Sequence, residues 1–166
     1  GTAWVSPKGV AVDSHGVLYV ADRALRVIVR IGGGNSQMIA SALDGLVVPE
    51  QLTFDDHGNL YVTDRVAQAV FRISPEGKLE EFITAEQGIQ CPEAIVFHRS
   101  HLYIADRCAV AVHRFALDGS GGPFIQFTHG YRGLAGIAFD DRGVLYVAVG
   151  SAYRPHNLIL QIRGIE

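Results

Sequence analysis

The sequence predicts an all-β fold, a β-propeller built from four-stranded antiparallel blades. Three observations predict it. A tyrosine within an apolar strand recurs at positions 19, 61, 103 and 146, in steps of 42, 42 and 43 residues. Each repeat reads as short strands rich in β-branched and aromatic residues, and no helical period interrupts them. Four strands in a unit of about 42 residues are the signature of a propeller blade.

Length and composition place these repeats in one domain. The chain has 166 residues, of which 48% are hydrophobic and 19% charged, so it can bury a core. We expect a single domain over residues 1–166, with blades at about 7–41, 49–84, 92–128 and 134–163. No apolar run approaches the ~20 residues of a membrane-spanning helix. We therefore expect a soluble chain whose secretion signal is absent or already removed, and its compartment stays open.

The first two strands of each repeat form a hairpin. The first strands, predicted at residues 10–12, 52–54, 95–97 and 137–139, are almost continuously apolar. Such runs are expected of strands that neighbouring blades cover on both faces. The hairpin turns that follow are His15-Gly16, His57-Gly58, Arg99-Ser100 and Arg142-Gly143. Each turn leads into the strand that carries the recurrent tyrosine.

A third and a fourth strand complete the blade. Third strands are predicted at residues 26–31, 68–73, 110–115 and 158–161, and weaker fourth strands at 37–40, 79–83 and 124–127. In the second repeat Lys78, Glu80 and Glu81 alternate with Leu79 and Phe82, a pattern typical of a half-exposed outer strand. No fourth strand is predicted for the last repeat.

The repeats resemble a known group of propellers. The second repeat reads Pro-Glu, an apolar strand, Asp-Asp-His-Gly-Asn-Leu-Tyr-Val-Thr-Asp, then Val-Phe-Arg-Ile and Pro-Glu-Gly. This run resembles NHL repeats and the related gluconolactonase-like (senescence marker protein) propellers, over nearly the whole chain. Both families usually close a ring of six blades, which at this repeat length takes about 250 residues. We therefore expect a fragment or truncated form, with a closed four-bladed ring and completion by a second chain as alternatives.

Two glutamates stand where the resemblance places a metal ligand. The turns between second and third strands share one face with the links between blades, and we call it the top face; propellers commonly bind ligands there. Glu50 and Glu93 each follow a proline at the top of a first strand, where Lys8 and Ala135 stand in the other repeats. The resemblance implies that both glutamates bind calcium or another divalent cation. Calcium takes 6 to 8 oxygens, so water or further blades would complete the site; solvated charge, or an ion pair with Lys8, is the alternative.

An aspartate followed by an arginine ends the second strand of three repeats, at Asp22-Arg23, Asp64-Arg65 and Asp106-Arg107. We interpret the aspartates as structural, because an aspartate after a strand accepts backbone hydrogen bonds in the next turn. The arginines form a candidate basic arc for an anion or RNA phosphates. With 14 basic against 17 acidic residues, a nucleic-acid partner is not expected.

The fourth repeat departs from this pattern. Val149 replaces the aspartate, and the loop after it is longer by four residues. This loop and the preceding link between blades carry aromatic and basic side chains, which are typical of binding surfaces. The predicted ligand-binding patch comprises Tyr131, Arg132, Tyr153, Arg154 and His156. A tolerated surface insertion is the alternative.

Cys91 and Cys108 are the only cysteines. If the third hairpin turns at Arg99-Ser100, paired residues have numbers that sum to 199, a condition that the two cysteines meet. This register makes Cys91 and Cys108 a candidate disulfide, provided that Pro92 and the strand twist preserve it; two buried thiols are the interpretation that the sequence favours. Of the histidines, only His129 and His156 are expected to meet on the top face, and two imidazoles alone do not make a zinc site.

These observations favour a binding module. The first hypothesis is an NHL-type propeller that holds a small molecule or a partner protein on its top-face loops. The second is a calcium-dependent lactonase or related hydrolase that resembles gluconolactonase, although the sequence completes no catalytic set. An RNA-binding propeller is the third. Self-association that completes the ring is a further expectation, and no membrane partner is expected.

Overall fold

The computed structural model describes residues 3–128, 130–151 and 157–165. In these ranges the chain forms fifteen β-strands and two short 3-10 helices, arranged as four antiparallel sheets. The predicted all-β class is therefore confirmed, and each repeat forms one sheet. No helix in the described ranges has both the length and the apolar character needed to span a membrane.

Each sheet contains the strands of one repeat in chain order. The first sheet comprises β1 (Pro7–Val12), β2 (Leu18–Asp22), β3 (Val27–Gly32) and β4 (Asn35–Ala40), and the second comprises β5 (Pro49–Phe54), β6 (Leu60–Asp64), β7 (Ala69–Ile73) and β8 (Leu79–Ile83). The third comprises β9 (Pro92–His98), β10 (His101–Asp106), β11 (Ala111–Ala116) and β12 (Gly121–Gln126). The fourth has three strands in the described residues: β13 (Tyr131–Phe139), β14 (Leu145–Ser151) and β15 (Leu158–Ile162). The 3-10 helices, Ala42–Asp44 and Ala85–Gln87, lie on the links to the second and third sheets.

The third strands of the first three sheets begin one residue later than predicted. Arg26, Gln68 and Val110, the expected first residues, have φ of 57°, 55° and 51°. A residue with positive φ belongs to a turn, because a strand needs extended backbone. The turn before each third strand therefore takes one residue from the predicted strand.

First strands of successive sheets pack against each other, β1 with β5, β5 with β9 and β9 with β13. Apolar side chains fill the space between neighbouring sheets. Between the first and second sheets, Ala21 and Ile28 meet Leu52, Val62 and Phe71. Equivalent clusters lie between the second and third sheets and between the third and fourth. Because the sheets pack in this order, the links that precede the first strands and the turns that follow the second strands lie on one face, the top face.

One face of the first sheet remains apolar and exposed. Val10 is 61% exposed, whereas Leu52 and Ile95, at the same position of the next two sheets, are 5% and 6% exposed. The preceding sheet covers Leu52 and Ile95, and no described sheet precedes Val10. Val12 and Met38 are also exposed.

Candidate functional site

Buried aspartates hold together the top of the first three sheets. Asp64 is fully buried and accepts hydrogen bonds from the backbone N–H groups of Val47, Val48, Val66 and Ala67, at 2.7, 2.9, 3.2 and 3.0 Å. Asp22 and Asp106 accept the corresponding four backbone hydrogen bonds in their own repeats. The structural interpretation of these aspartates is confirmed, since each ties the link before its sheet to the turn after its second strand.

Arginines and glutamates alternate across the top of these sheets. Arg23 Nη1 and Arg65 Nε each lie 3.5 Å from Glu50 Oε1. Arg65 Nη1 lies 3.9 Å from Glu93 Oε2, and Arg107 Nη1 lies 3.8 Å from Glu93 Oε1. We call this series the charge arc; its members in spatial order are Arg23, Glu50, Arg65, Glu93 and Arg107. Each glutamate thus lies between two arginines that belong to neighbouring sheets.

Glu50 is the most buried member of the charge arc, with a side chain only 3% exposed. Burial raises the pKa of its carboxyl group, the nearby charge of Glu93 raises it further, and Arg23, Arg65 and Lys8 act in the opposite direction. Among the described residues, Glu50 Oε1 and Glu93 Oε2 accept no hydrogen bond, because the guanidinium groups lie at ion-pair distance only. Coulomb attraction to the arginines therefore favours the charged form of Glu50 and opposes the effect of burial.

The donor set around Glu50 and Glu93 does not fit calcium. A calcium site needs 6 to 8 oxygen ligands, whereas these carboxylates have guanidinium groups as their nearest charged neighbours. No group of three or more histidine, cysteine, aspartate or glutamate side chains suited to a metal occurs in the described ranges. The predicted metal site at Glu50 and Glu93 would therefore need further oxygen ligands from outside the described ranges.

The charge arc stops at the fourth sheet. Leu134 pairs with Val149 where the other sheets pair a proline with the buried aspartate. Ala135 consequently stands where the second and third sheets have Glu50 and Glu93. Gly150 stands where the other sheets have an arginine. The fourth sheet therefore lacks both charged side chains that would continue the arc.

A pocket of about 460 Å³ occupies the space beside these small residues. Its lining includes Arg107, Arg132, Leu134, Ala135, Gly150 and Asn157. The aliphatic part of Arg107 lies against Gly133, whose φ is 56°, and a Cβ on Gly133 would come 3.0 Å from Arg107 Cγ. The pocket thus combines two arginines with an apolar floor, at the boundary between the third and fourth sheets.

The structure places two members of the predicted ligand-binding patch at this pocket or beside it. Arg132 is exposed and lines the pocket. Tyr131 is half-buried, with its ring edge-on to Phe127 at 5.8 Å between centroids. The other predicted members, Tyr153, Arg154 and His156, lie outside the described residues, as does His129.

Sequence reasoning placed Arg107 in a candidate basic arc for an anion, together with Arg23 and Arg65, but did not assign it to a pocket at the fourth sheet. The signal was present in the repeats, because Ala135 and Gly150 are the two positions at which small residues replace the charged side chains of the preceding repeats. The loss of these two charged side chains leaves a space at the top of the fourth sheet. Arg107 is the member of the charge arc that borders this space.

Cys91 and Cys108 form a disulfide beside the pocket, with Cα atoms 5.3 Å apart. The expected register, in which paired numbers sum to 199, holds from His98 and His101 to Ala94 and Ala105. It then shifts, so that Asp106 pairs with Pro92. The register argument consequently fails at the end of the ladder, and the two cysteines meet just beyond it.

A larger cavity of about 650 Å³ lies on the opposite face, between the first two hairpin turns. Two of its carboxylates accept hydrogen bonds within their own turns: Asp55 accepts them from the backbone N–H groups of His57 and Asn59, and from the Tyr61 hydroxyl. Asp13 accepts the same kinds of bond in the first repeat. These contacts give Asp13 and Asp55 a structural role in the hairpin turns.

The fold is similar to that of several solved structures. A "putative gluconolactonase" matches with a TM-score of 0.74 and 20% identity, over 94% of this chain and 59% of that chain. A virginiamycin B lyase from Staphylococcus aureus matches with a TM-score of 0.76 and 17% identity, over 96% of this chain and 56% of that one. A chain of the nidogen/laminin complex matches with a TM-score of 0.74 and 20% identity, over 93% of this chain and 64% of that chain.

No protein-family model matches the chain, and no curated protein matches it. The chain spans less than two thirds of the length of each of the three solved structures. At 17 to 20% identity the likeness bears on the fold alone. The four sheets and these neighbours together show that the chain adopts a β-propeller fold.

Proposed function

We propose that this chain is an NHL-type propeller that acts as a binding module, and that its ligand or partner protein binds in the top-face pocket between the third and fourth sheets. The observation that carries the proposal is the interruption of the charge arc. Arginines and glutamates alternate along the top of the first three sheets, and the pocket lies where the fourth sheet has Ala135 and Gly150 instead. Binding sites on propellers commonly lie where loops of rigid blades converge.

The chemistry of the pocket supports binding rather than catalysis. Its described lining contains arginines, an asparagine and small or apolar residues, and its one cysteine, Cys108, is in a disulfide. General acid–base or nucleophilic catalysis needs a carboxylate, an imidazole, an amine, a hydroxyl or a free thiol in the site. No described lining residue of this pocket supplies one. Arginines instead offer fixed donors that orient a bound group.

The fold neighbours are consistent with this proposal. One of them comes from the nidogen/laminin complex, so a similar propeller takes part in a protein complex. We propose that the predicted patch of Tyr131, Arg132, Tyr153, Arg154 and His156 contributes to the same binding function. The alternation of arginines with glutamates in the charge arc disfavours RNA phosphates as the ligand, because each cation has an anionic neighbour.

Filling the pocket tests the proposal. A small-molecule library is screened against the chain by ligand-observed NMR, and each hit is measured again with Ala135→Phe. The matched control is His15→Phe, an exposed position on the opposite face. We expect most hits to lose binding with Ala135→Phe and to keep it with His15→Phe. Hits that bind all three proteins alike would overturn the proposal.

The second candidate is a calcium-dependent hydrolase, favoured by the closeness of Glu50 and Glu93 at the top face, where the charge of Glu93 raises the pKa of Glu50. It requires oxygen ligands beyond the described ones. Thermal melts with millimolar calcium and with a chelator test it, since a ligand that binds only the folded state raises the midpoint. The binding-module proposal expects no shift. A rise that is lost in Glu50→Gln would instead favour the hydrolase.

A further inference from the structure

Arg107 differs from Arg65 in having a carboxylate on one side only. Arg65 lies between Glu50 and Glu93, and its side chain is 27% exposed. Among the described residues, Glu93 supplies the one carboxylate at ion-pair distance from Arg107, whose side chain is 54% exposed. By the pattern of the charge arc, its second carboxylate would come from position 135, where the chain has alanine. The free side of Arg107 therefore faces the pocket.

Arg132 adds a second positive charge to the same pocket. It is exposed, and no carboxylate of the described residues lies within ion-pair distance of it. Arg107 shares Glu93 with Arg65. The described lining of the pocket includes no acidic residue, so its local charge is positive although the whole chain carries a formal net charge of −3. An anionic group entering the pocket would be attracted by both guanidinium groups.

The rest of the pocket suits a small organic molecule. The exposed Ala135 and the half-buried Ala148 provide apolar surface, and Asn157 provides an amide. A volume of about 460 Å³ lies within the range of small-molecule sites. The planar guanidinium group matches a carboxylate, which can accept two parallel hydrogen bonds from it. The intact part of the charge arc already pairs guanidinium groups with carboxylates of the chain itself.

We infer that the pocket binds a small organic carboxylate, whose carboxyl group takes the place of the missing glutamate at position 135 and pairs with Arg107 and Arg132. The inference deepens the proposed function and rests on it. The apolar part of the ligand lies against Ala148.

The test uses four probes, namely benzoate, phenylacetate, the neutral analogue benzamide and inorganic phosphate. Binding is measured by ligand-observed NMR and by titration calorimetry at low and moderate salt. We expect the two carboxylates to bind, benzamide and phosphate to bind at least about tenfold more weakly, and carboxylate affinity to fall as salt rises.

Two variants and a control locate the binding. Arg107→Gln should weaken carboxylate binding at least about tenfold, because it removes the charged partner. Ala135→Glu should abolish it, because the new side chain supplies the carboxylate that the ligand replaces. Arg142→Gln removes an exposed arginine from the opposite face and should change nothing. Since position 135 is exposed, Ala135→Glu tests the inference even where Arg107→Gln impairs folding.

The possible failures are distinguishable. Equal binding of benzoate and benzamide, phosphate binding as tight as benzoate binding, or an unchanged affinity in Ala135→Glu would overturn the carboxylate inference. If neutral ligands bind and Ala135→Phe abolishes their binding, the proposed binding pocket stands without the carboxylate. If no ligand from the library or the probe set responds to Ala135→Phe, both proposals fail.

Discussion

His113 Nε2 lies 3.6 Å from Asp106 Oδ2, and both side chains are buried. In the second sheet the position of His113 belongs to Phe71, which packs in the apolar cluster between the first two sheets. Neither ring nitrogen of His113 has a hydrogen-bond partner in the described part of the chain. The third sheet thus keeps an imidazole at a core position, next to an aspartate that already accepts four backbone hydrogen bonds.

Protonation of His113 should destabilise the fold. Burial lowers the pKa of His113 below its ordinary value of 6.5, and the charge of Asp106 offsets only part of this effect. Below that ordinary value the unfolded chain takes up a proton that the folded chain does not, so the free energy of unfolding decreases as the pH falls through 6.5. Urea unfolding measured between pH 8 and pH 5 checks this expectation.

The matched comparison for this prediction is His113→Phe, which places the side chain of Phe71 at the equivalent position. Burial also lowers the pKa of His98, and Glu50 has a raised pKa, so both groups contribute to the pH dependence in either protein. The difference between the two proteins isolates His113. Parallel pH profiles would contradict the prediction.

Asp64→Ala should lower the free energy of unfolding by about 3 kcal/mol or more. The change leaves several buried backbone N–H groups without their acceptor, each at a cost of about 1–3 kcal/mol before water or relaxation compensates. Asp118→Ala is the control, because Asp118 lies on an exposed turn and its hydrogen-bond donors in the described part of the chain are the backbone N–H and hydroxyl groups of Ser120. It should lower stability by about 1 kcal/mol or less. Urea unfolding measures both variants. If they lose the same free energy of unfolding, the burial of Asp64 does not account for its contribution to stability.

Val110→Asn should raise the free energy of unfolding by about 0.5–1 kcal/mol. Val110 has a φ of 51°, and a β-branched residue in the left-handed region stores about 1–3 kcal/mol of strain. Asparagine tolerates this conformation, and the half-buried valine gives up only part of its packing free energy. Gln68→Asn, at the same position of the second sheet, relieves less strain and should change stability less. A loss of stability in Val110→Asn would mean that packing outweighs strain.

The repeat carried most of the fold information in the sequence. The recurrent tyrosine and the turn residues predicted four hairpins, and the third turn lies at Arg99 and Ser100, both with positive φ. The register shifts near the start of the first strands were not predictable. A bulge depends on how the strand end meets the neighbouring sheet, and hydrophobic alternation does not record that contact.

The candidate site was predictable only in part, for a related reason. Glu50, Glu93 and Arg132 were selected from their place in the repeat. The alternation of the charge arc was not expected, because it joins an arginine of one sheet to a glutamate of the next. The period of the repeat predicts the end of the strand at which a residue lies. It does not predict which side chain of the neighbouring sheet that residue contacts. The pocket lies where Ala135 and Gly150 replace the charged residues of the preceding repeats. The replacement of a charged residue by a small one is a weak indication of a binding site in a sequence.

Reduction of the disulfide between Cys91 and Cys108 should lower the free energy of unfolding by about 3 kcal/mol, the value expected for a closed loop of this length. The two residues are 17 positions apart, and the bridge ties the link before the third sheet to the turn that leads into β11. Denaturant unfolding with and without reductant measures the difference. The double variant Cys91→Ser, Cys108→Ser is the control, because its stability should match that of the reduced chain and should not respond to reductant. A native chain that titrates with two free thiols, or one whose stability is the same in both buffers, would contradict the prediction.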